Sequence, residues 1–244
     1  MISSVWFYKI AKYEYLTKQK LKQIDCLENM IHTIDLLNEE QTSNILDYYE
    51  ICDFVDGAIS GSDDKKLKNN LELYDFTHYN TLRKYFDEYV DSNLYLKYLF
   101  NIKGFSKPLF LQYHEGMHYD YHYDMYLMDG IKSDYSVSCF LNSPSEYEGG
   151  ELVIKIGDKE IEYKLEPGKA IIYPTGLEHK IKPIISGTRK VAVFWMESLI
   201  YDSRIRSILT EFSEIIYKHK DLLGKDVYEF ENIKFKLIRE YGII

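Results

Sequence analysis

Cysteine, proline and long apolar runs are all scarce in this sequence. Its 244 residues include 3 Cys and 5 Pro. Cys26, Cys52 and Cys139 form no CxxC pair and are too few for a disulfide framework, which predicts reduced thiols in a cytoplasmic protein. No stretch approaches the roughly 18 consecutive apolar residues of a membrane span, and Lys9 and Lys12 interrupt the start before an apolar signal region can form. We therefore expect neither a membrane-spanning nor a conventionally secreted protein.

A basic excess is also missing. The formal net charge is -9 and the pI is near 5.3. Proteins that bind nucleic acid must displace phosphate counterions and usually carry a positive surface, so we expect no nucleic-acid partner. Arginine is scarce as well, with five in the chain. Each arginine is worth locating, because only a guanidinium offers a planar fork to a carboxylate.

Helical periodicity is present on both sides of the middle of the chain. Asn38 followed by Gln41 resembles a capping box and predicts a helix over about 39–51. The apolar spacing of Leu82, Phe86 and Val90 predicts a second helix over about 77–91. Helical periodicity returns after about residue 201.

From Pro108 the pattern changes to short runs separated by turns. Eight strands are predicted, over 109–113, 118–123, 134–141, 151–156, 161–165, 170–173, 179–185 and 190–196. Gly157-Asp158 and Pro167-Gly168 supply turn signals between them. Eight short strands flanked by helices predict an α+β fold with a mainly β core, either a sandwich or a jelly roll.

The chain divides into three predicted segments. Residues 1–27 carry five lysines and form a basic N-terminal extension. Residues 28–200 form the jelly-roll domain with its N-terminal helices, and residues 201–244 form a C-terminal helical pair packed on the same domain. Because no Pro/Gly-rich linker separates these segments, we expect one compact domain.

Histidine and aspartate recur in three His-x-Asp triplets, at 118–120, 122–124 and 219–221. The last lies in a predicted helix and indicates a solvated face. In a strand, residues i and i+2 point to the same side, so one triplet can present an imidazole and a carboxylate to one cation. His179, which opens a strand after the turn Pro174-Thr175-Gly176, is the natural second histidine. Two His and one carboxylate leave three positions of an octahedral Fe(II) open, whereas the plainer interpretation is a set of ordinary polar strand residues.

Arg189 lies ten residues beyond His179, in the pattern His179-x3-Pro183-x3-Gly187-x-Arg189. An acid chelated to iron by its keto and C1 carboxylate groups still needs a cation for its far carboxylate, and a bidentate arginine fits that role. Alone, Arg189 would be interpreted as a surface residue with an ion pair at the sheet rim. Together with the histidines and the carboxylate, we interpret it as a cosubstrate-binding residue.

The sequence resembles the PKHD-type hydroxylases, relatives of the prolyl 4-hydroxylase group of 2-oxoglutarate and Fe(II)-dependent dioxygenases. The resemblance covers about residues 30–244. The matching motifs are Lys68-Asn69-Asn70-Leu71, Tyr113-x2-Gly116-x5-His122-x-Asp124, Ser136, Phe140-Leu141-Asn142-Ser143-Pro144, Tyr147-Glu148-Gly149-Gly150-Glu151-Leu152, Pro167-Gly168, Tyr173-Pro174, the His179 to Arg189 pattern and Phe194-Trp195. The resemblance implies a double-stranded β-helix, or jelly roll, with flanking N-terminal and C-terminal helices.

Site residues follow from the resemblance position by position. It implies His122, Asp124 and His179 as iron ligands and Arg189 as the partner of the 2-oxoglutarate C5 carboxylate. Tyr113 would add a hydroxyl to that carboxylate, and Ser136 would be a third cofactor-binding residue in the pocket. Three positions depart from the family pattern at the pocket edge, namely Asp120, Lys132 and Phe140. Phe140 stands where some relatives have a tyrosine, so one cosubstrate hydrogen bond is absent.

Strand periodicity does not choose between the first two triplets. The four residues of these triplets are spaced by two positions, so an uninterrupted strand would direct all four side chains to one face. They are His118, Asp120, His122 and Asp124. The resemblance selects His122, because His118 would shorten the spacing from Tyr113 by four residues. Gly149-Gly150, ahead of the next strand, is interpreted as a structural bend.

The expected activity is hydroxylation of a C–H bond, prolyl by resemblance, with release of succinate and CO2. Fe(II), 2-oxoglutarate and O2 are the expected cofactor and cosubstrates, with ascorbate as reductant. The substrate is a peptide, a protein or a small molecule. The alternative is a non-catalytic β-sandwich module that binds a sugar or peptide. A halogenase is a third hypothesis within the enzyme class. Halogenases usually lack the iron-binding carboxylate, whereas Asp124 is present at that position here.

Overall fold

The computed structural model describes residues 30–61 and 64–243. Its helices are α1 (Glu39–Ile51), α2 (Phe76–Ser92), α3 (Leu94–Phe100), α4 (Ser203–Leu223) and α5 (Val227–Tyr241). Its strands are β1 (His32–Asp35), β2 (Phe54–Asp56), β3 (Lys68–Asn69), β4 (Leu71–Leu73), β5 (Ile102–Phe105), β6 (Leu109–Tyr113), β7 (His118–His122), β8 (Leu127–Met128), β9 (Ile131–Lys132), β10 (Tyr135–Phe140), β11 (Tyr147–Gly149), β12 (Leu152–Ile156), β13 (Lys159–Tyr163), β14 (Lys169–Pro174), β15 (His179–Ile181), β16 (Ile184–Gly187) and β17 (Arg189–Ser198). The predicted basic extension, 1–27, lies outside the described residues.

Side-chain caps set the starts of α1, α2 and α3. Asn38 forms the predicted capping box with Gln41 at the start of α1. Asp75 caps α2 by accepting from two backbone amides. Helix α3 is absent from the sequence prediction, because it follows α2 after the single residue Asn93, whose side chain caps it.

Two antiparallel sheets form the β core. The larger sheet has the order β1-β14-β10-β17-β6-β4-β2, with β5 also paired to β17, and the smaller has the order β13-β12-β15-β7-β3. This is the predicted α+β jelly roll. The prediction of one continuous strand over 179–185 is wrong. The structure has two strands there, β15 and β16, which pair with different strands. Pro183 lies at the break, where it has no N–H to donate to a ladder.

Side chains alternate along β17 and so divide the core into two layers. Ala192, Phe194 and Met196 face α1, α2 and α3 in one apolar cluster. Val191 lies in a second cluster between the two sheets. Residue Arg189 has the parity of Val191, which places it on the side of β17 that faces the smaller sheet.

The C-terminal helical pair is tied to the core by buried charged side chains. Arg206 of α4 lies 2.9 Å from Asp134, directly before β10. Lys234 of α5 donates to the backbone carbonyl of Tyr98 in α3 at 2.8 Å. These contacts support the proposal that residues 201–244 pack on the domain of residues 28–200. No helix in the described part of the chain is long and apolar enough to cross a membrane.

Candidate active site

A cleft lies between the two sheets and is lined by residues from both. From the larger sheet β6, β10 and β17 contribute, and from the smaller sheet β7 and β15. Three predicted ligands, His122, Asp124 and His179, line it together with Arg189 and Tyr113. The structure therefore brings the sequence-predicted residues to one cavity.

His122 and His179 are directly opposite each other on paired strands. His122 ends β7, His179 begins β15, and their rings lie 4.2 Å apart. Asp124 follows two residues after the end of β7, with Oδ1 at 3.8 Å from Nε2 of His122 and 3.7 Å from Nε2 of His179. Three donor atoms converging in this way can hold one metal ion through two imidazoles and a carboxylate.

The second ring nitrogen of each histidine already has a hydrogen-bond partner. Nδ1 of His122 lies 2.8 Å from the carbonyl of Asp120, and Nδ1 of His179 lies 3.0 Å from the carbonyl of Leu177. These contacts place the proton on Nδ1 and leave Nε2 free to coordinate a metal. Burial, with the neighbouring His179, lowers the pKa of His122 to about 4. The imidazole is therefore neutral at physiological pH, as a ligand must be.

Asp124 is oriented by two donors. Ser136 Oγ donates to Oδ2 of Asp124 at 2.7 Å, and the Trp195 indole N–H donates to the same atom at 3.0 Å. Oδ1 is left to face the histidines. Ser136 was expected as a pocket residue, and its hydroxyl in fact contacts the carboxylate and Thr175. Trp195 was noted in the sequence only as part of a motif, because nothing in strand periodicity shows that its N–H reaches Asp124.

The expectation for an uninterrupted strand does not hold, because β7 is irregular. Its pairing with β15 shifts register, so that a two-residue step from His179 to Ile181 matches a three-residue step from His122 to Tyr119. Tyr119 consequently stacks on His122, with ring centres 3.5 Å apart. Nε2 of His118 lies 3.0 Å from the carbonyl of Lys66 instead. The irregularity separates the two triplets and leaves His122 in the site.

Arg189 is a buried cation without a protein anion among the described residues. It is 1% exposed, and its Nε and Nη2 have no hydrogen-bond partner in the part of the chain that the structure describes. Its guanidinium carbon lies 5.2 Å from the ring centres of both Tyr113 and Phe140. A surface ion pair is therefore wrong for this residue. An unpaired buried guanidinium is costly unless an anion binds to it.

Comparison with known proteins agrees with this geometry. Residues 108–197 match the family model described as the 2OG-Fe(II) oxygenase superfamily. A PKHD-type hydroxylase of Acaryochloris marina is 39% identical over 74% of this chain and 84% of its own length. Another, from Rippkaea orientalis, is 34% identical over 87% of this chain and its whole length. The chain belongs to the PKHD-type hydroxylases.

Membership of the PKHD-type hydroxylases makes the protein an oxidoreductase that uses Fe(II), 2-oxoglutarate and O2. A solved structure shows the same fold: a prolyl hydroxylase from Trichoplax adhaerens, in complex with a hypoxia inducible factor peptide fragment. It has a TM-score of 0.56 and 19% identity, and the match covers 82% of this chain and 96% of that one. The double-stranded β-helix predicted from the family resemblance is thus confirmed.

The three departures from the PKHD-type pattern lie in different places. Phe140 packs beside Arg189 and offers no hydroxyl there, as expected. Lys132 lies away from the cavity, with its ammonium 2.8 Å from Asp134 and over the ring of Tyr201. Asp120 is exposed, and its side chain accepts from the backbone amide of Tyr121. Only Phe140 therefore changes the environment of a predicted cosubstrate residue.

A second group of metal-binding residue types, Cys52, Asp75 and His78, has a structural explanation. Oδ1 of Asp75 accepts the backbone amides of Thr77 and His78, and Oδ2 lies 2.6 Å from Nδ1 of His78. The carboxylate is therefore fully used in capping α2. Burial, together with nearby carboxylates, also raises the pKa of the Cys52 thiol to about 11, which disfavours the thiolate.

Proposed function

We propose that His122, Asp124 and His179 hold the Fe(II) of this hydroxylase, and that Arg189 binds the C5 carboxylate of 2-oxoglutarate. The observation that carries the proposal is the arrangement of one cleft, with a convergent His/Asp/His cluster and an unpaired buried guanidinium in the same lining. Fe(II) would be the cation for the His/Asp/His cluster, and the C5 carboxylate of 2-oxoglutarate would be the anion for Arg189. Neutral imidazoles and a carboxylate are a donor set suited to Fe(II) with open positions.

Tyr113 fits the role of a second donor to the same carboxylate. It ends β6 directly opposite Arg189 on β17 and is buried in the cleft. Burial raises the pKa of Tyr113 to about 12, so the phenol keeps its proton and can donate a hydrogen bond. Ser136 lies beside the His/Asp/His cluster, where its hydroxyl orients Asp124 rather than the cosubstrate.

The residues around the cluster hold its three side chains in place. Fe(II), with 2-oxoglutarate and O2, supplies the oxidising chemistry that hydroxylates a C–H bond and releases succinate and CO2. Ser136 and Trp195 fix the carboxylate, and the backbone carbonyls of Asp120 and Leu177 fix the imidazoles. Apolar side chains of the sheets, among them Leu111 and Val191, line the rest of the cleft.

We further propose a peptidyl substrate in which a prolyl or similar apolar C–H group becomes hydroxylated. Two large side chains that line the cleft, Tyr123 and Met125, are 62% and 66% exposed and present an apolar rim beside Asp124. The peptide complex of the Trichoplax prolyl hydroxylase supports a polypeptide rather than a small molecule. Ascorbate as reductant, a cytoplasmic location and the absence of a nucleic-acid partner belong to the same proposal.

Anaerobic titration tests the site. Adding Fe(II) and then 2-oxoglutarate to the metal-free protein should give a weak visible charge-transfer band, and air should then convert 2-oxoglutarate to succinate slowly even without substrate. Ascorbate should sustain that turnover. A protein that neither develops the band nor consumes 2-oxoglutarate would be the β-sandwich binding module instead. A mass-spectrometric search for a +16 product among prolyl peptides and metabolites then tests the substrate class.

A further inference from the structure

Two buried polar groups lie close together behind the cleft without a hydrogen-bond partner in the described chain. They are the Nε and Nη2 atoms of Arg189 and the hydroxyl of Tyr147. Tyr147 is 5% exposed. Buried polar groups are normally paired, because an unmade hydrogen bond costs the desolvation of the group with no return. Two such groups beside each other therefore point to a shared role.

The backbone brings Tyr147 to Arg189. Tyr147 begins β11 and pairs with Gly187 of β16, two residues before Arg189. A Cβ at Gly150 would lie 3.3 Å from Cε2 of Tyr147 and 3.2 Å from Cδ of Arg189. Both side chains therefore converge on the space above one glycine. Burial raises the pKa of Tyr147, whereas the positive charge of Arg189 and the direct contact between the guanidinium and the phenol oppose that rise, as expected for neighbouring groups.

The Tyr147 ring is held in place from its other side. Lys164 lies over the ring with its ammonium 4.1 Å from the ring centre, and it donates to the backbone carbonyl of Tyr147 at 2.7 Å. The guanidinium carbon of Arg189 lies 5.2 Å from the ring centres of both Tyr113 and Phe140. Tyr147 is a further neighbour, and its hydroxyl can offer an oxygen acceptor to the buried edge of the guanidinium.

We propose that Tyr147 is a positioning residue for Arg189: its hydroxyl oxygen accepts a hydrogen bond from the guanidinium and fixes the direction in which Arg189 presents its remaining N–H groups to the cosubstrate. The inference rests on the proposed role of Arg189. It also relates the Tyr147-x-Gly149-Gly150 motif to the site, because a Cβ at Gly150 would lie 2.3 Å from Cδ1 of Ile184 and within 3.3 Å of both Arg189 and Tyr147.

The test compares two ligands that differ at the far carboxylate. Tyr147→Phe should raise the Kd of 2-oxoglutarate roughly three- to tenfold, the size expected for one hydrogen bond. It should leave unchanged the Kd of 2-oxobutyrate, which chelates through the same keto acid but has no C5 carboxylate. Both constants are measured anaerobically on the Fe(II)-loaded protein from the charge-transfer band. Iron stoichiometry should equal that of wild type.

Two further variants separate positioning from packing. Tyr121→Phe also removes a phenolic hydroxyl, but that hydroxyl faces Glu160. The Tyr121 ring lies against Lys155 and Lys180 and does not line the cleft. It should leave both constants unchanged. In an Arg189→Met background, adding Tyr147→Phe should weaken 2-oxoglutarate binding no further, because the two residues act as one unit.

Three results would overturn the inference. They are an unchanged Kd for 2-oxoglutarate in Tyr147→Phe, an equal loss for both ligands, and an additive loss in the double variant. Failure of the wild-type protein to bind 2-oxoglutarate at all would instead contradict the proposed cosubstrate site itself. The two failures are therefore distinguishable.

Discussion

His122 and His118 lie four residues apart on one strand, yet they have different surroundings. His122 faces Asp124 and His179, with its Nδ1 held by a backbone carbonyl. The His118 ring lies against the carbonyls of Gly116 and Lys66. At the residue scale, the difference is made by the register shift in β7 and not by residue type.

Removing either of two ligands should remove iron. His122→Ala and Asp124→Ala each leave two of three donors, so we expect loss of stoichiometric Fe(II) and of 2-oxoglutarate turnover. His118→Ala is the matched control, and it should keep both. Iron per chain is measured after anaerobic loading and gel filtration. Iron loss in His118→Ala with retention in His122→Ala would mean that the assigned ligand is wrong.

Arg189→Met should weaken the binding of 2-oxoglutarate without destabilising the ligand-free protein. It removes a charge-assisted contact to the cosubstrate, so the Kd of 2-oxoglutarate should rise about 10- to 100-fold, while iron binding stays unchanged. It also removes a buried cation that has no anion among the described residues, so the ligand-free protein should not lose stability. Calorimetry and anaerobic titration measure the two effects. Arg83→Met, on the partly exposed Arg83–Asp87 pair of α2, is the control that should leave 2-oxoglutarate binding intact.

At the scale of secondary-structure elements, the strands depend on the turns that join them as well as on their own residue patterns. Gly149, at the end of β11, has φ +76°, and a Cβ there would lie 2.2 Å from the carbonyl oxygen of Pro183. The structural bend expected from the sequence is therefore confirmed. Pro183 itself lies in the break between β15 and β16, so one turn shapes both strand ends.

Gly149→Ala should lower the free energy of unfolding by about 1–3 kcal/mol, or more if the backbone cannot shift. Gly116→Ala is the matched control. Gly116 has nearly the same φ, +77°, but open space where the Cβ would lie, so its cost should be the smaller. Urea unfolding measures both. Equal costs would show that the backbone angle, and not the contact with Pro183, decides the choice of glycine.

The junction of α5 with α3 should give a pH-dependent contribution to stability. Burial lowers the pKa of Lys234 to about 8 from 10.5. Between these values the unfolded chain binds more protons than the folded chain, so this group makes the free energy of unfolding rise with pH. Relative to Lys234→Met, wild type should therefore gain stability from near pH 7 to near pH 10. Lys220→Met, on an exposed site of α4, is the control for loss of a lysine from a C-terminal helix.

On the scale of the whole molecule, the two sheets meet where the cofactor and cosubstrate are proposed to bind. The larger sheet supplies Arg189, Tyr113 and Trp195, and the smaller sheet supplies His122 and His179. Binding between the sheets should therefore stabilise the fold as a unit. The helices α1, α2 and α3 cover the opposite face of the larger sheet and leave the cleft accessible.

Ligands should raise the melting temperature in two steps. A ligand present at a hundred times its Kd adds about 2.7 kcal/mol, which corresponds to about 5–10 °C for a chain of this size. Metal should give one increment and anaerobic 2-oxoglutarate a second. Arg189→Met should keep the first and lose most of the second. A single increment with metal alone in wild type would contradict the cosubstrate site.

Local patterns were enough for much of the architecture. The capping box of α1, the strand at 109–113 and the turn at Gly157-Asp158 appear where the sequence predicted them, because each depends on residues that are neighbours in the chain. Family resemblance supplied the candidate residues His122, Asp124, His179 and Arg189. Those four positions line one cleft, and their roles in binding iron and cosubstrate stay a prediction.

Tertiary structure alone decided the remaining features. The pairing of β15 and β16 with different strands and the register shift in β7 depend on which strands become neighbours. The same is true of Trp195 on Asp124 and of Tyr147 beside Arg189. The sequence by itself determined the residue types and local periodicities, whereas contacts between residues distant in the chain follow only from sheet pairing, which brings together side chains that no local pattern connects.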